Sequence, residues 1–354
     1  MAAAVRATSS SSISLPSGYS RSSFSPGQIK NGERRPEADD RRGLVLVAGR
    51  HGEAERERIR GAAGDAPVEF VQSARDRPDL VERATVVAGD LDDELLARAR
   101  NLIWRHSWAA GVDHELTDAL SATSVTLTSS AGNGAIPLAE HAMLLMLMLN
   151  RDAPRWLRAQ AEHRWDRFEH GELNGLTCGI IGLGHSGSDL AAKAAAFHMR
   201  VLGVRRRAHL PVPGVDRIYP PDRLHDVLNE SDFVVVTAPY TPDTAGMFGE
   251  AEFAAMSETS CFVCFSRGGI VDDDALLTAL REGWIAGAGL DAHGNEPLPP
   301  DSPFWDLPHV IITPHNGATT AATRQRGLDI FVDNLARFTD GRPLRNVVDT
   351  QVGY

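Results

Sequence analysis

Cysteine and long apolar segments are scarce in this chain. Its three cysteines are too few to stabilise 354 residues by disulfide bonds, which indicates a protein of a reducing compartment. Cys261 and Cys264 form a CxxC, but it lies in a strand pattern whose positions i and i+3 face opposite sides, so we interpret both as core residues. The longest unbroken apolar run, AMLLMLML from Ala142 to Leu149, is far shorter than the roughly 20 residues that span a bilayer. A membrane-spanning helix is therefore excluded.

Positive charge is also in deficit. Lysine occurs only at Lys30 and Lys193, so arginine supplies nearly all the cationic side chains, and the formal net charge is −11. Nucleic-acid binding through a broad basic face is therefore excluded. An anionic ligand must be held by local charges rather than attracted by the overall field. No metal site is predicted.

The first residues differ in composition from the rest. Residues 1–32 are rich in serine and contain no Asp or Glu, and no hydrophobic period begins before Gly43. We interpret residues 1–42 as a disordered or targeting tail. A Ser- and Arg-rich, acid-poor segment is typical of a transit peptide, which would imply an organelle. Otherwise the protein is expected in the cytoplasm.

From Gly43 onward, apolar runs of strand length alternate with helical segments, which is typical of parallel α/β sheets. A second such series begins with TCGIIGLG. The last helical segment, TAATRQRGLDIFVDNLARFTDG, is expected to return to the first domain, because too few residues follow it to fold alone. The predicted fold is α/β, with two Rossmann-like domains of parallel strands. Residues 43–140 and 319–354 form one domain, and residues 141–318 form the other, inserted into the first.

The segment between the two series, IPLAEHAMLLMLMLNRDAPRWLRAQ, is apolar nearly all round its first turns. A helix that is apolar on every face is buried, either between domains or against another subunit. Its methionines therefore indicate a core or a dimer interface rather than a cofactor site.

The segment GIIGLGHSG predicts a dinucleotide site. Gly182, Gly184 and Gly187 form a GxGxxG directly after a strand and before a helix. These glycines allow a tight turn, close approach of the backbone to a pyrophosphate, and close helix–strand packing. The helix N-terminus, with His185 and Ser186 in its first turn, offers N–H groups and a partial positive charge to the phosphates.

The segment GVRRR predicts which dinucleotide is bound. In this fingerprint an acidic residue at the end of the second strand binds the ribose 2′-hydroxyl. Arg205 occupies that position here, with Arg206 beside it. Guanidinium groups bind a 2′-phosphate through charge-assisted hydrogen bonds. We therefore expect NADP (NADPH) as cofactor, with NAD as the alternative; Arg207 receives no role.

Three chemically suitable side chains follow later strands. Arg267 ends the strand in CFSRGG, Glu296 lies just beyond the strand in GAGLDAHGNEP, and His315 ends the strand in VIITPH. Ligands of open parallel sheets bind outside the carboxyl ends of the strands, so these residues are expected to converge on one crevice.

Four motifs together, GLGHSG, SRGGIVDDDAL, GLDAHGNEPL and FWDLPHVIITPHNGA, resemble the D-isomer-specific 2-hydroxyacid dehydrogenases. The resemblance extends from Gly43 to the C-terminus and is greatest to the branch of glyoxylate and hydroxypyruvate reductases. It implies NADPH-dependent reduction of a small 2-keto acid to the D-2-hydroxy acid, and a homodimer.

The resemblance also assigns roles to residues. His315 would donate the proton, with Glu296 as its partner, and Arg267 would bind the keto acid. Asp291 would hold the nicotinamide carboxamide. These roles agree with the chemistry, because the developing alkoxide needs a proton donor and the keto acid needs a cation. Further cofactor-binding residues in these motifs and the loops between them are Pro239, Thr244 and Gly317.

In the first domain, SWAAGVDHEL resembles the family loop that binds the substrate carboxylate through backbone N–H groups, here those of Ala110 and Gly111. Small residues suit this role, since the backbone must approach the ligand closely. GNGAIPLAEH resembles the segment bordering the nicotinamide. Trp165 matches an aromatic residue that in relatives reaches a neighbouring subunit.

Two alternatives remain open. An NAD-dependent oxidoreductase similar to phosphoglycerate dehydrogenase is disfavoured by Arg205 and by the lack of room for a C-terminal regulatory domain. A dinucleotide-sensing protein similar to the corepressors of this fold can retain the same triad. Turnover with NADPH and keto acids separates an enzyme from such a sensor.

Overall fold

The structure, a computed structural model, describes residues 40–350, 352 and 353. The tail predicted over residues 1–42 lies almost entirely outside them, so both the tail and the cellular location stay predictions. In the described part of the chain, no helix is both long and apolar enough to cross a membrane.

The first sheet contains five strands, paired in the order β2-β1-β3-β4-β5, and every pairing is parallel. This is one of the two common doubly wound orders, with its switch point beside β1. The strands are β1 (Leu44–Ala48), β2 (Val68–Val71), β3 (Ala84–Ala88), β4 (Trp104–Ser107) and β5 (Thr126–Ser129).

The second sheet contains seven parallel strands in the order β12-β11-β10-β9-β6-β7-β8. Read from β8, this is the Rossmann order with one added strand, and its switch point lies between β6 and β9. The strands are β6 (Thr177–Ile181), β7 (Arg200–Val204), β8 (Arg217–Tyr219), β9 (Phe233–Val236), β10 (Cys261–Cys264), β11 (Gly287–Leu290) and β12 (Val310–Ile312).

Helices cover these sheets, and short 3₁₀ turns lie between them. The α-helices are α1 (Glu53–Ala63), α2 (Pro78–Val81), α3 (Asp93–Arg98), α4 (Asp118–Ser121), α5 (Ala135–Asn150), α6 (Ala153–Ala161), α7 (His185–Ala196), α8 (Leu224–Glu230), α9 (Glu250–Ala254), α10 (Asp273–Glu282) and α11 (Ala321–Thr339).

The apolar segment predicted as a buried helix forms two helices. Asp152, with φ of +47°, separates α5 from α6, and Pro154 lies in the first turn of α6. Helix α5 packs against α7 and against β10 and β11, so it belongs to the core of the second sheet. Its methionines Met143 and Met146 are buried there.

Helix α11 returns the chain to the first sheet. Phe331 and Phe338 on α11 pack on the indole ring of Trp104 in β4, with ring centroids 5.7 and 5.4 Å apart. All three side chains are buried. The predicted fold class, two parallel α/β sheets with the second inserted into the first, is confirmed. The residue boundaries 43–140, 141–318 and 319–354 stay predictions.

The predicted strands are all present, and two edge strands, β2 and β8, were not predicted. Residues of β2 are only partly buried and include an exposed glutamate, so its sequence VEFV carries little apolar signal. The strand β8 has only three residues. Burial raises the pKa of Cys261 to about 12 and of Cys264 to about 11, which agrees with core residues rather than a redox pair.

Candidate active site

The glycines of GLGHSG turn the chain sharply from β6 into α7. Gly182 has φ of +107°, and a Cβ on it would lie 2.6 Å from the backbone nitrogen of Ala238. A Cβ on Gly187 would lie 2.0 Å from the carbonyl oxygen of Gly182. Both positions require glycine, the first for its left-handed backbone and the second so that α7 can pack against the turn.

The N-terminus of α7 faces open space. Gly184 is the N-cap, no side chain caps the first turn, and a Cβ on Gly184 would meet nothing within 4 Å. His185 approaches the first sheet, because a Cβ on Gly132 would lie 3.2 Å from His185 Cδ2. A helix N-terminus carries N–H groups without intrahelical partners and a partial positive charge. Gly182, Gly184 and Gly187, together with the first turn of α7 that contains Ser186, form a glycine cradle. This cradle fits the pyrophosphate of a dinucleotide.

Arg205 directly follows β7, as the fingerprint spacing predicted. Its N–H donates to the Tyr219 carbonyl at 3.0 Å, and its Nε–H donates to the Arg207 carbonyl at 2.8 Å. Partial burial, followed by the charge of Arg207, lowers the pKa of the Arg205 guanidinium. Arg206 is exposed beside them. Like charges held this close favour an anion as ligand.

Thr244 holds the loop that follows β9. Its Oγ1 donates to the Pro239 carbonyl at 2.7 Å and accepts the N–H of Thr241 at 2.8 Å. The same loop contacts the glycine turn, because Thr237 Oγ1 donates to the Gly182 carbonyl. The structure therefore brings Pro239 and Thr244 to the loop beside the glycine turn.

His315 and Glu296 form a hydrogen-bonded pair. His315 Nδ1 lies 2.8 Å from Glu296 Oε2, and the side chains are 38% and 35% exposed. The other ring nitrogen, Nε2, has no hydrogen-bond partner within residues 40–350. His315 has φ of +50°, a conformation that is uncommon outside glycine and that concentrates at functional sites. Glu296 can thus hold the imidazole through Nδ1 while Nε2 faces a ligand.

Glu296 is kept ionised by its contacts. Burial opposes its ionisation, but the His293 N–H, which donates to Oε1 at 2.9 Å, and the His315 ring together outweigh burial and lower the pKa of the carboxyl. Glu296 is therefore a fixed negative partner for His315 at neutral pH.

Asp291, which follows β11, binds the loop that carries His315. Its Oδ1 accepts from Thr313 Oγ1 at 2.6 Å and from the Asn316 N–H at 3.0 Å. Its Oδ2 accepts from the Gly317 N–H at 2.9 Å. The side chain is fully buried. The predicted contact of Asp291 with the nicotinamide and the predicted cofactor-binding role of Gly317 stay predictions, and the hydrogen bonds of Asp291 to this loop were not predicted.

The loop after β4 presents unbonded N–H groups. Those of Ala110 and Gly111 donate to no described residue, whereas the Ala109 N–H donates to Ser107 Oγ at 3.2 Å. Arg267, which follows β10, reaches this loop from the second sheet, since a Cβ on Gly111 would lie 2.2 Å from Arg267 Nη2. A guanidinium beside unbonded N–H groups is the arrangement that binds a carboxylate.

Two polar residues of this region, Asp113 and His141, were not predicted from the sequence. Asp113 Oδ1 accepts from Arg267 Nε at 3.1 Å. His141 Nε2 lies 3.0 Å from Thr313 Oγ1 and 3.6 Å from Asp291 Oδ1. Asp113 and His141 lie in SWAAGVDHEL and GNGAIPLAEH, two segments that resemble loops of the family. Their contacts depend on residues more than 140 positions away, so no local pattern shows them.

Apolar side chains are exposed along α5, α6 and the loop that follows. They include Leu144, Trp156 and Leu157, and Trp165 is 95% exposed. Exposed apolar patches are typical of protein interfaces. The homodimer stays a prediction, with this surface as its candidate interface.

The comparison with known proteins agrees with this geometry. The family model described as "D-isomer specific 2-hydroxyacid dehydrogenase, NAD binding domain" matches residues 143–317. A glyoxylate reductase of Korarchaeum cryptofilum is 33% identical over 295 residues, which cover 80% of this chain and 86% of that protein. The chain belongs to the D-isomer specific 2-hydroxyacid dehydrogenase family. The resemblance carried by the four motifs is thereby confirmed.

Solved structures of D-isomer specific 2-hydroxyacid dehydrogenases share the fold. An NADPH-dependent glyoxylate/hydroxypyruvate reductase of Sinorhizobium meliloti, in complex with NADP and sulfate, has a TM-score of 0.76 at 30% identity. The match covers 88% of this chain and 99% of that chain. A D-3-phosphoglycerate dehydrogenase of Archaeoglobus fulgidus is 33% identical over 267 residues. These residues cover 73% of this chain but only 49% of that protein. The chain thus spans about half the length of that relative.

Replacing Gly184 with alanine tests the cradle. The added methyl group meets no protein atom within 4 Å, so we expect the Tm to change by only about 1–2 °C. The methyl group would project into the space before α7, so the Kd for NADPH should rise at least about tenfold in a fluorescence titration. Gly61→Ala, at an exposed position of α1 that is equally free of contacts, is the control. Unchanged NADPH affinity in Gly184→Ala would contradict the assignment.

Replacing Glu296 with glutamine tests the charge of the His315 partner. A carboxyl with a lowered folded pKa stabilises the fold above its ordinary value of 4.5, and this is lost as pH falls through the folded pKa. Wild-type Tm should therefore exceed that of Glu296→Gln above about pH 5 and approach it on acidification. Calorimetry across pH measures this, with exposed Glu169→Gln as control. A difference that grew on acidification would refute the prediction.

Proposed function

We propose that this protein uses NADPH to reduce a small 2-keto acid, of the glyoxylate or hydroxypyruvate type, to the D-2-hydroxy acid. The observation that carries the proposal is that three groups follow the carboxyl ends of parallel strands, and that one of them, Arg267, contacts the Gly111 loop of the other sheet. The three groups are the His315–Glu296 pair, the Arg267 guanidinium and the unbonded N–H groups of Ala110 and Gly111. The glycine cradle opens on the same edge of the second sheet.

The reaction adds a hydride to the keto carbon and a proton to its oxygen. Reduced nicotinamide, when bound, supplies the hydride. Arg267 and the N–H groups of Ala110 and Gly111 bind the carboxylate and fix the keto acid in one orientation. Protonated His315 donates its Nε2 proton to the oxygen as negative charge develops there. Glu296 stabilises the imidazolium before the transfer and keeps Nδ1 engaged throughout.

The basic residues after β7 support NADPH as the cofactor. Arg205 stands where an acidic residue would bind the ribose 2′-hydroxyl and would repel a 2′-phosphate. The reductase of Sinorhizobium meliloti that shares the fold is NADPH-dependent and contains NADP. Pro239, Thr244, Asp291 and Gly317 complete the proposed cofactor site, and residues 43–140 with 319–354 form the proposed substrate-binding domain.

NAD-linked oxidation of a phosphorylated hydroxy acid is the second candidate. It is favoured by the identity to phosphoglycerate dehydrogenases, which equals that to the glyoxylate reductase. Arg205 at the ribose position disfavours it. A dinucleotide sensor without catalysis would bind NADPH and leave it unoxidised.

Turnover tests the proposed reaction directly. NADPH oxidation, followed by absorbance, should occur with glyoxylate, hydroxypyruvate or pyruvate, and His315→Gln should lower kcat by about 10²-fold or more. The wild-type protein is also incubated with 3-phosphoglycerate and NAD. Oxidation of that substrate alone would favour the second candidate, and NADPH binding without any turnover would favour the sensor.

Cofactor choice is tested by Arg205→Asp. The carboxylate would repel the 2′-phosphate and accept hydrogen bonds from a 2′-hydroxyl, so the KM for NADPH should rise at least about tenfold, while that for NADH falls or stays unchanged. Arg100→Asp makes the same charge change on an exposed residue before β4 and should affect neither KM. If Arg205→Asp left the ratio of the two KM values unchanged, Arg205 would not select the cofactor.

A further inference from the structure

Asp113 and Arg267 form an ion pair that joins the two sheets. Asp113 lies in the 3₁₀ turn Asp113–Glu115 after β4 of the first sheet, and Arg267 follows β10 of the second. Asp113 Oδ1 is 3.1 Å from Arg267 Nε, and the two side chains are 30% and 31% exposed. We propose that Asp113 is a positioning residue that orients Arg267 for binding the keto acid carboxylate. The proposal rests on the proposed function.

The hydrogen bonds of Arg267 define the orientation of its guanidinium. Nε donates to Asp113, and Nη1 donates to the carbonyl of Ser266 at 2.8 Å. Nη2 has no hydrogen-bond partner among the residues that the structure describes. Because a guanidinium is planar, two bonds on neighbouring nitrogens fix the direction of the third. The bonds of Nε and Nη1 therefore fix the direction in which Nη2 points.

Nη2 is directed at the loop that carries the unbonded N–H groups. A Cβ on Gly111 would lie 2.2 Å from Nη2 and 3.4 Å from Asp113 Oδ1, so the ion pair lies directly against the Gly111 backbone. A carboxylate held by the N–H groups of Ala110 and Gly111 would then lie beside Nη2. Only a residue without a Cβ leaves room for this approach.

The 3₁₀ turn that carries Asp113 is itself firmly anchored. Glu115, two residues further on, pairs with Arg105 at 2.5 Å, and both side chains are buried. Glu115 also accepts a hydrogen bond from Ser107 Oγ. Removing one partner from a buried ion pair is strongly destabilising, so this turn resists displacement. Asp113 is thus a rigid support from which Arg267 can be oriented.

An ionised acceptor suits this role better than a neutral one. A charge-assisted hydrogen bond is shorter and about twice as strong as a neutral bond, and Arg267 is a long side chain with many rotamers. Without Asp113 the guanidinium would sample other orientations, and Nη2 would meet the keto acid carboxylate in only some of them. The loss should appear in keto acid binding and leave dinucleotide binding intact, because Asp113 contacts Arg267 and the Gly111 loop, which are the proposed carboxylate-binding groups.

The test compares Asp113→Ala and Asp113→Asn with the wild type in steady-state reduction of glyoxylate and hydroxypyruvate. We expect kcat/KM for the keto acid to fall by about 10- to 100-fold in Asp113→Ala, mainly through KM, and by less in Asp113→Asn. The Kd for NADPH should stay within about twofold of wild type. Asp65→Asn, an exposed change in the loop after α1, is the matched control.

A double-mutant cycle separates positioning from a general structural role. If Asp113 acts through Arg267, then Asp113→Ala should cause no further loss of kcat/KM in an Arg267→Ala background. A structural role would give additive losses, together with weaker NADPH binding and a lower Tm, and would overturn the proposal. So would an unchanged keto acid KM in an active Asp113→Ala enzyme, which leaves the proposed function standing. A wild-type protein that reduces no keto acid would instead refute both.

Discussion

One buried carboxylate organises the loop on which the candidate chemistry depends. Asp291 lies at the end of β11 with no exposed surface, and such a group is costly unless hydrogen bonds satisfy it. Among the described residues, the hydrogen-bond donors to its side chain are Thr313, Asn316 and Gly317, so the side chain fixes that loop in one conformation. Because these hydrogen bonds hold the residues on both sides of it, His315 can keep a backbone conformation that an unconstrained loop would avoid.

The two sheets contribute complementary chemistry to a shared edge. The second sheet supplies the His315–Glu296 pair and the Arg267 guanidinium, while the first supplies the N–H groups of Ala110 and Gly111. Close contacts join the sheets at this edge. Gly132 lies against His185, and a Cβ on Gly134 would come within 3.0 Å of the Ala318 Cβ. Small residues at these points allow loops from different sheets to approach one another, and the site is defined by that approach.

The sequence predicted where most groups of the candidate site lie in the fold, because each group follows a strand that is recognisable as an apolar run. Because the carboxyl ends of parallel strands lie at the same edge of a sheet, the strand assignments alone place Arg267, Glu296 and His315 at that edge. Asp113 could not be predicted, because its role depends on a partner in the other sheet. The break at Asp152 was not predicted, although the polar residues Asn150, Arg151 and Asp152 end the apolar run and Pro154 follows them.

The return of α11 also constrains the order in which the chain can fold during synthesis. The strands of the second sheet, residues 177–312, are contiguous in sequence, and domains generally fold as units as they emerge. The first sheet is made earlier, yet the face of Trp104 stays uncovered until Phe331 and Phe338 leave the ribosome. The sheet that is synthesised first is therefore the one completed last.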